Sequence, residues 1–423
     1  MNPASLPPRL PAPWGRLIDR NHPVSFSFEG TDYQGFQGDS IASALMANGR
    51  WLLSRSFKYH RPRGPLTLAG QDANTLVQLP SEANVLADAH PVTPGLVVTG
   101  QNYNGSLDHD RDAILGHFSR FMPVGFYYRA FYKPGGIWKY WEPFIRAKAG
   151  LGRLDLNFRP GYYDKAYLFA DVAVIGSGPA GLSAALAAAE SGAEVLLVEQ
   201  EPVLGGSLNW ARFDIAGQRA REMAQQLIGA AERHPRIRIL TQATCNAWFT
   251  DNYLPIICGQ RLYKARVKQC VVASGAFEQP VVFRNNDLPG VLLASAAQRL
   301  MKLYAVAPGK RAVVLTGNDQ GYLAALDLAD AGVEVAAVLD LRETGAMAEI
   351  VRAVKQKGIP VHAGHTVFEA LPDAGKTRVA GVDVRRVTGR GQVAAEGEYI
   401  ACDTLLMSAG YMPVYQLLCQ AEG

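Results

Sequence analysis

Gly176, Gly178 and Gly181 follow an apolar run at 172–175 in the spacing G-x-G-x-x-G. That spacing suits one kind of chemistry, the approach of backbone N–H groups to a pyrophosphate. The first glycine permits a tight turn and the second lets the backbone come close to the phosphates. The third lets the following helix pack against the strand. The positive end of that helix then faces the anion. A second apolar run, 195–198, ends in Glu199, a carboxylate placed to accept hydrogen bonds from an adenosine ribose. Strand, glycine turn, helix, second strand and acid stand in order, which is far more specific than a glycine triplet alone. A membrane helix over 172–189 is the competing reading. It fails on the glycines and Pro179 inside the window and on Glu190, which closes it.

Other chemistry-bearing residues make weaker patterns. The five cysteines are Cys245, Cys258, Cys270, Cys402 and Cys419, and no two form C-x-x-C. This disfavours a dithiol redox centre, a zinc ribbon and a disulfide framework. Isolated cysteines in strand-like runs read as small core residues. His362 and His365 would point to opposite faces of a strand, so no metal site is expected there. The basic string 55–63, with Phe57 and Tyr59 interleaved, reads as structural or subunit-docking rather than as a nucleic-acid patch. No Ser/His/Asp arrangement stands out, and no catalytic residue or metal ligand is assigned.

The elements that must position these residues fit a chain of several domains. At ~150 residues per domain, 423 residues make two to four. The net charge of +4 is small and does not argue for a nucleic-acid or lipid partner. The N-terminus has several prolines and no apolar core of a secretory signal, and no other stretch reads as a bilayer span. The cytoplasm is the expected compartment.

Residues 1–20 read as a loosely ordered Pro-rich arm. Residues 21–95 read as a β-grasp, ferredoxin-like domain. In it, runs at 24–28 and 31–34 form a hairpin around Glu29-Gly30, and Asp39 or Ser40 caps a helix bearing Ile41, Ala44, Leu45 and Asn48. Residues 96–170 form an aromatic-rich helical connector. Its Phe126-Tyr127-Tyr128, Phe131-Tyr132 and Trp138-Lys139-Tyr140-Trp141 runs are expected to pack between domains or subunits.

Residues 171–300 form a first dinucleotide-binding domain and 301–423 a second, glycine-degenerate copy. Aligned on their strands, Gly176, Gly178 and Gly181 fall on Thr316, Asn318 and Gly321. Asn318 and the following Asp319 oppose close approach of a phosphate, so the second copy is expected to keep the fold without the ligand. The expected fold class is α/β: a β-grasp start, then two Rossmann-like units of the FAD/NAD(P)-binding type.

Three groups of residues carry a resemblance to a family. One is Gly38-Asp39-Ser40-Ile41-Ala42-Ser43-Ala44-Leu45 with Arg55-Ser56-Phe57-Lys58-Tyr59-His60-Arg61-Pro62-Arg63-Gly64. Another is Ser119-Arg120-Phe121-Met122-Pro123-Val124-Gly125-Phe126-Tyr127-Tyr128. The last is the nucleotide fingerprint with Gly275-Ala276-Phe277-Glu278-Gln279-Pro280 and Asn286-Asp287-Leu288-Pro289-Gly290-Val291. Together they resemble the N-terminal half of the alpha subunit of heterotetrameric sarcosine oxidase, a flavoprotein of one-carbon metabolism.

The resemblance implies a complex with beta, gamma and delta subunits that oxidatively demethylates sarcosine with oxygen and tetrahydrofolate. It implies FAD on the beta subunit, FMN between alpha and beta, and NAD in the alpha subunit. Residue by residue it places NAD on Gly176, Gly178, Ala180, Gly181, Glu199, Gln200, Glu201 and Ser207, with Cys245 near the adenine. The fingerprint alone leaves FAD open for the same site. An FAD-binding alpha subunit of a related dehydrogenase for proline, hydroxyproline or an opine is therefore an alternative, as is a non-catalytic nucleotide-binding scaffold.

Related β-grasp domains carry a 2Fe–2S cluster on four cysteines. The first cysteine here is Cys245, so the expectation is a ferredoxin-like unit without an iron–sulfur cluster. The segment that returns from the second unit to complete the first is expected to be missing, as is a following aminomethyltransferase-like domain. That makes the chain a fragment, a truncated product or half of a split subunit, inactive by itself.

Overall fold

The structure is a computed structural model and describes residues 8–123, 125, 131, 133–149 and 152–421. It divides into two compact units: Met1–Phe158 with Pro280–Ala409, and Arg159–Gln279 with Gly410–Gly423. The Phe126-Tyr127-Tyr128 run and Tyr132 lie outside the described residues.

In the first unit, strands Asp19–Phe28 and Thr31–Gln37 form the expected hairpin around Glu29-Gly30. Val24, Phe26 and Phe28 alternate into the core, the period of a half-buried strand. Of the two candidate caps, Ser40 is the N-cap of helix Ile41–Ala47. Its side chain takes the N–H of Ser43, and the Ser43 hydroxyl takes the N–H of Ser40. Asp39 instead pairs with Arg9 at 2.6 Å, with both side chains buried. Within the described part of the Pro-rich stretch, Arg9 is therefore tied to the rest of this unit. Arg16 and Leu17 also donate N–H groups to the carbonyls of Lys302 and Leu303.

Two of the family-like motifs meet in this unit: the Arg61 guanidinium grips both oxygens of Asp287 at 2.7 Å, and Arg63 joins it. The Tyr59 hydroxyl donates to the Met122 carbonyl at 2.7 Å. The basic string is thus a structural clasp. Arg61 and Arg63 are spent on Asp287, and Arg55 on the carbonyls of Leu107 and His60. Trp138, Tyr140 and Trp141 of helix Trp138–Ala149 are exposed in the chain.

The later part of this unit holds a five-stranded parallel sheet in the order Val291–Leu293, Thr404–Ser408, Arg311–Thr316, Glu334–Asp340, Val361–Ala363. Its strands are near-continuous apolar runs, as a sheet covered on both faces requires. Gly364, at φ +68°, turns the chain from Val361–Ala363 into His365–Pro372. That turn brings the rings of His362 and His365 to 5.6 Å, so they do not sit on opposite faces of one strand.

The second unit is a six-stranded sheet in the order Ile237–Leu240, Val195–Val198, Asp164–Ile175, Arg261–Val272, Tyr253–Cys258, Ala243–Cys245. The first four strands are parallel and the last two antiparallel. Val174, Leu182, Ala185, Val195, Leu197 and Ala231 form the core beneath helices Pro179–Glu190 and Arg219–Arg233.

After the second copy the chain comes back to this unit. Tyr411–Pro413 pairs antiparallel with Ala276–Glu278, and helix Gln416–Ala421 follows. Ser274 Oγ donates to Val414 O at 2.9 Å, and Leu417 packs on the core. The edge of Ala276–Glu278 offers free ladder groups, and these residues satisfy them. Among the described residues no helix is long and apolar enough to cross a membrane.

Candidate dinucleotide-binding site

The glycine turn joins strand Asp164–Ile175 to helix Pro179–Glu190, and its three glycines are needed for different reasons. Gly176 has φ +100°, and a Cβ there would strike the Ala273 carbonyl oxygen. A Cβ on Gly181 would strike the Gly176 carbonyl oxygen, so helix and strand pack backbone to backbone. A Cβ on Gly178 would meet nothing within 4 Å. That glycine leaves open the space in front of the turn. Gly178 is also the N-cap, without a side chain to cap the helix, and Pro179 opens the first turn. The helix N-terminus is left for an anion.

Glu199 is buried at the end of Val195–Val198. Its Oε2 accepts from Ser177 N at 2.9 Å and from Ser177 Oγ at 2.5 Å. Its Oε1 accepts from Glu201 N at 2.9 Å. A carboxylate offers about four acceptor directions, so these bonds leave about one for a ribose hydroxyl. Ser177 also reaches the next loop: Gly205 N donates to Ser177 O at 3.0 Å and to Ser177 Oγ at 3.2 Å. Gly206 closes against the turn, and a Cβ there would lie 2.9 Å from Gly178 Cα. Ser177, Gly205 and Gly206 were not among the assigned residues. The signal for them was a hydroxyl inside the glycine triplet and a glycine pair after the acid.

The remaining assigned residues surround this core. Ala180 is exposed in the first helical turn, and Gln200 is exposed beyond the acid. Ser207 lies in the turn Gly206–Asn209, its carbonyl accepting from Ala211 N at 2.8 Å. Cys245 ends the strand Ala243–Cys245, whose first residue donates its N–H to Glu199 O at 2.9 Å. Burial pushes the Cys245 thiol up to about 11. It pushes Cys270 up to about 12, with Cys245 adding to the effect. Both are neutral thiols with no nucleophilic character at neutral pH.

The second copy satisfies the same positions from within. Asn318 Oδ1 caps Gln320 N at 2.9 Å and accepts from Ser408 Oγ at 3.2 Å. Asp340, at the place of Glu199, accepts from the Tyr322 hydroxyl at 2.8 Å and from Arg342 at 3.0 Å. Arg342 also holds Asp319 at 2.9 Å.

A third cluster was not read from the sequence. His60 Nδ1 lies 2.6 Å from Asp110 Oδ2, and its Nε2 lies 3.0 Å from Lys148 O. Burial opposes the His60 charge, but the Asp110 hydrogen bond and charge outweigh it and raise its pKa. His60, Asp110 and Asp112 place ligand atoms within 4.8 Å of one another. Lys148 Nζ already holds Asp112 at 2.8 Å, so the group is an ion-pair network.

Residues 170–423, over half of the chain, match the family described as pyridine nucleotide-disulphide oxidoreductase. The chain belongs to that oxidoreductase family. The match covers the glycine turn, Glu199 and the second copy, and the family supports FAD or NAD in the site. The oxidoreductase is 36% identical over 431 residues to sarcosine oxidase subunit alpha of Rhizobium meliloti (strain 1021), covering 96% of this chain and 42% of that protein. It is 30% identical to sarcosine oxidase subunit alpha of Corynebacterium sp. (strain P-1), covering 98% and 40%. The resemblance carried by the motifs therefore runs along nearly the whole chain. The chain spans about two fifths of the length of these relatives. Its fold is like that of L-proline dehydrogenase from P. horikoshii, with a TM-score of 0.63 and 20% identity over 97% of this chain and 65% of that one.

Residues 21–103 match the family described as 2Fe-2S iron-sulfur cluster binding domain. This overturns the expectation of a cluster-free ferredoxin-like unit, and with it the expectation of no iron–sulfur cluster: the domain is of the cluster-binding kind. The expectation rested on missing cysteines, which describe the ligand atoms and not the class of the domain. The usual set in such domains is four thiolates. Residues 21–103 offer carboxylate, hydroxyl and imidazole groups, which do not fit that set, and no electron step is assigned through the domain.

Proposed function

We propose that this chain is the nucleotide-holding part of a sarcosine oxidase alpha subunit and that its first dinucleotide-binding domain, the one with the glycine turn, binds NAD. The observation that carries the reading is the Ser177–Glu199 arrangement beside the open Gly178 turn, in a chain similar to sarcosine oxidase subunit alpha over 96% of its length. The turn takes the pyrophosphate on backbone N–H groups. Glu199 accepts a ribose hydroxyl, and its charge repels a 2′-phosphate. Gln200 and Glu201 follow it and supply no positive charge.

No group in this site is a base or nucleophile for an amine. The chain's own work is to bind and orient a nucleotide, and oxidation of the CH–NH donor falls to flavin held with partner subunits. Those partners are the beta, gamma and delta subunits, with sarcosine, oxygen and tetrahydrofolate as the substrates of the whole complex. FAD in the same turn is the second reading, since Gly176–Gly181 and Glu199 touch only the ADP half that both nucleotides share.

The test is to purify the full-length protein with its partner subunits, release the nucleotides with acid and weigh them by mass spectrometry. One NAD per alpha subunit, with sarcosine-dependent oxygen uptake by the complex and none by this chain alone, is the expected result. A second FAD per complex with no NAD, or sarcosine oxidation by the chain alone, contradicts the reading.

A further inference from the structure

Thr67, Asp72 and Thr75 stand in the spacing x4 and x2, with Asp88 further on. That is the plant-type pattern C-x4-C-x2-C…C of 2Fe–2S domains, written here in oxygen donors. The strands explain how the last member joins the others. Leu76–Val77 pairs antiparallel with Val85–Leu86, which sets Thr75 and Asp88 at the same end of one ribbon.

Six consecutive backbone N–H groups converge on these side chains. Asp72 accepts from Leu66 at 3.0 Å, Thr67 at 2.8 Å and Leu68 at 3.1 Å. Thr67 Oγ1 accepts from Ala69 at 3.2 Å. Asp88 Oδ2 accepts from Gly70 at 2.8 Å and Gln71 at 3.2 Å. Positive φ at Leu68 and Gly70 turns the chain so that its N–H groups face inward, which makes a nest for negative charge. Asp72, Thr75 and Asp88 are all buried. One oxygen of the pair is left over: Asp88 Oδ1 is buried without a hydrogen-bond partner.

We propose that Thr67, Asp72, Thr75 and Asp88 stand at the four ligand positions of this 2Fe–2S-type domain, and that Asp72 and Asp88 there hold the loop 66–71 through its inward-facing N–H groups.

Two measurements on the full-length protein test the two halves of this proposal. The first is amide hydrogen exchange at residues 66–71. D72A and D88A are each expected to lose protection in that loop while the rest of the domain keeps it. Wild-type protection of the loop in both variants overturns the holding role. The second is anaerobic loading of T67C/D72C/T75C/D88C with ferrous iron and sulfide. About two irons per chain beyond the wild-type content, with visible charge-transfer absorption, is the expected result. Wild-type iron content in a folded variant overturns the ligand positions. If four thiols prevent folding, mild oxidation of D72C/D88C addresses the same positions. Loss of two titratable thiols places them together, and two persistent free thiols separate them and overturn the assignment.

Discussion

The Ser177 hydroxyl donates to the Glu199 carboxylate at 2.5 Å inside a buried corner of the first nucleotide unit. The bond fixes the acid before any ligand arrives, so binding does not have to order it. S177A should therefore weaken NAD binding about tenfold, the scale of a hydrogen bond to a charged group. Isothermal titration of nucleotide-stripped protein measures this. Unchanged affinity would mean that Glu199 is held well enough by the backbone N–H groups of residue 177 and Glu201.

The three glycines of the turn make separable predictions. A Cβ on Gly178 meets no protein atom within 4 Å, so G178A should melt like wild type without ligand and lose most of the stabilisation that NAD provides. A Cβ on Gly181 runs into the Gly176 carbonyl, so G181A should lower the melting temperature of the ligand-free protein, at a cost of about 2 kcal/mol or more. Thermal melts with and without NAD distinguish the two. Equal ligand-free destabilisation by both variants would contradict the geometry.

The His60–Asp110 pair makes a pH prediction. Asp110 raises the His60 pKa, so the pair stabilises the fold fully below the ordinary histidine value and loses that contribution as pH rises through the raised one. D110N keeps an acceptor for Asn104 N and Asp112 N but removes the charge. It should cost about 1–3 kcal/mol at pH 6 and less at pH 9. Urea unfolding at the two pH values checks the difference, and a cost independent of pH would mean that His60 is neutral throughout.

The fold was legible where local chemistry and tertiary role agree. Val172 to Ile175, the glycine turn and Glu199 read correctly as strand, turn and acid because each choice serves the same local motif. The hairpin around Glu29-Gly30 and the cap at Ser40 were legible for the same reason. The Pro-rich start looked loose because its partners, Asp39 and the helix Ala294–Tyr304, are distant in sequence. The pairing of Tyr411–Pro413 with Ala276–Glu278 was not legible because it is set by sheet topology, not by its own residues. The role of Ser177 lies between these cases. Its place inside the triplet was visible, but its bond to Glu199 depends on how two strands sit side by side.

The central claim is that Glu199, held by Ser177, binds the ribose of NAD beside the glycine turn. The most direct measurement is paired titration of NAD and NADP into nucleotide-stripped full-length protein, with E199Q alongside. The account predicts that NAD binds at least about tenfold tighter than NADP and that E199Q narrows the gap by weakening NAD and relieving the repulsion of the 2′-phosphate. Equal affinities for NAD and NADP in the wild type, or a gap that E199Q leaves unchanged, would contradict it.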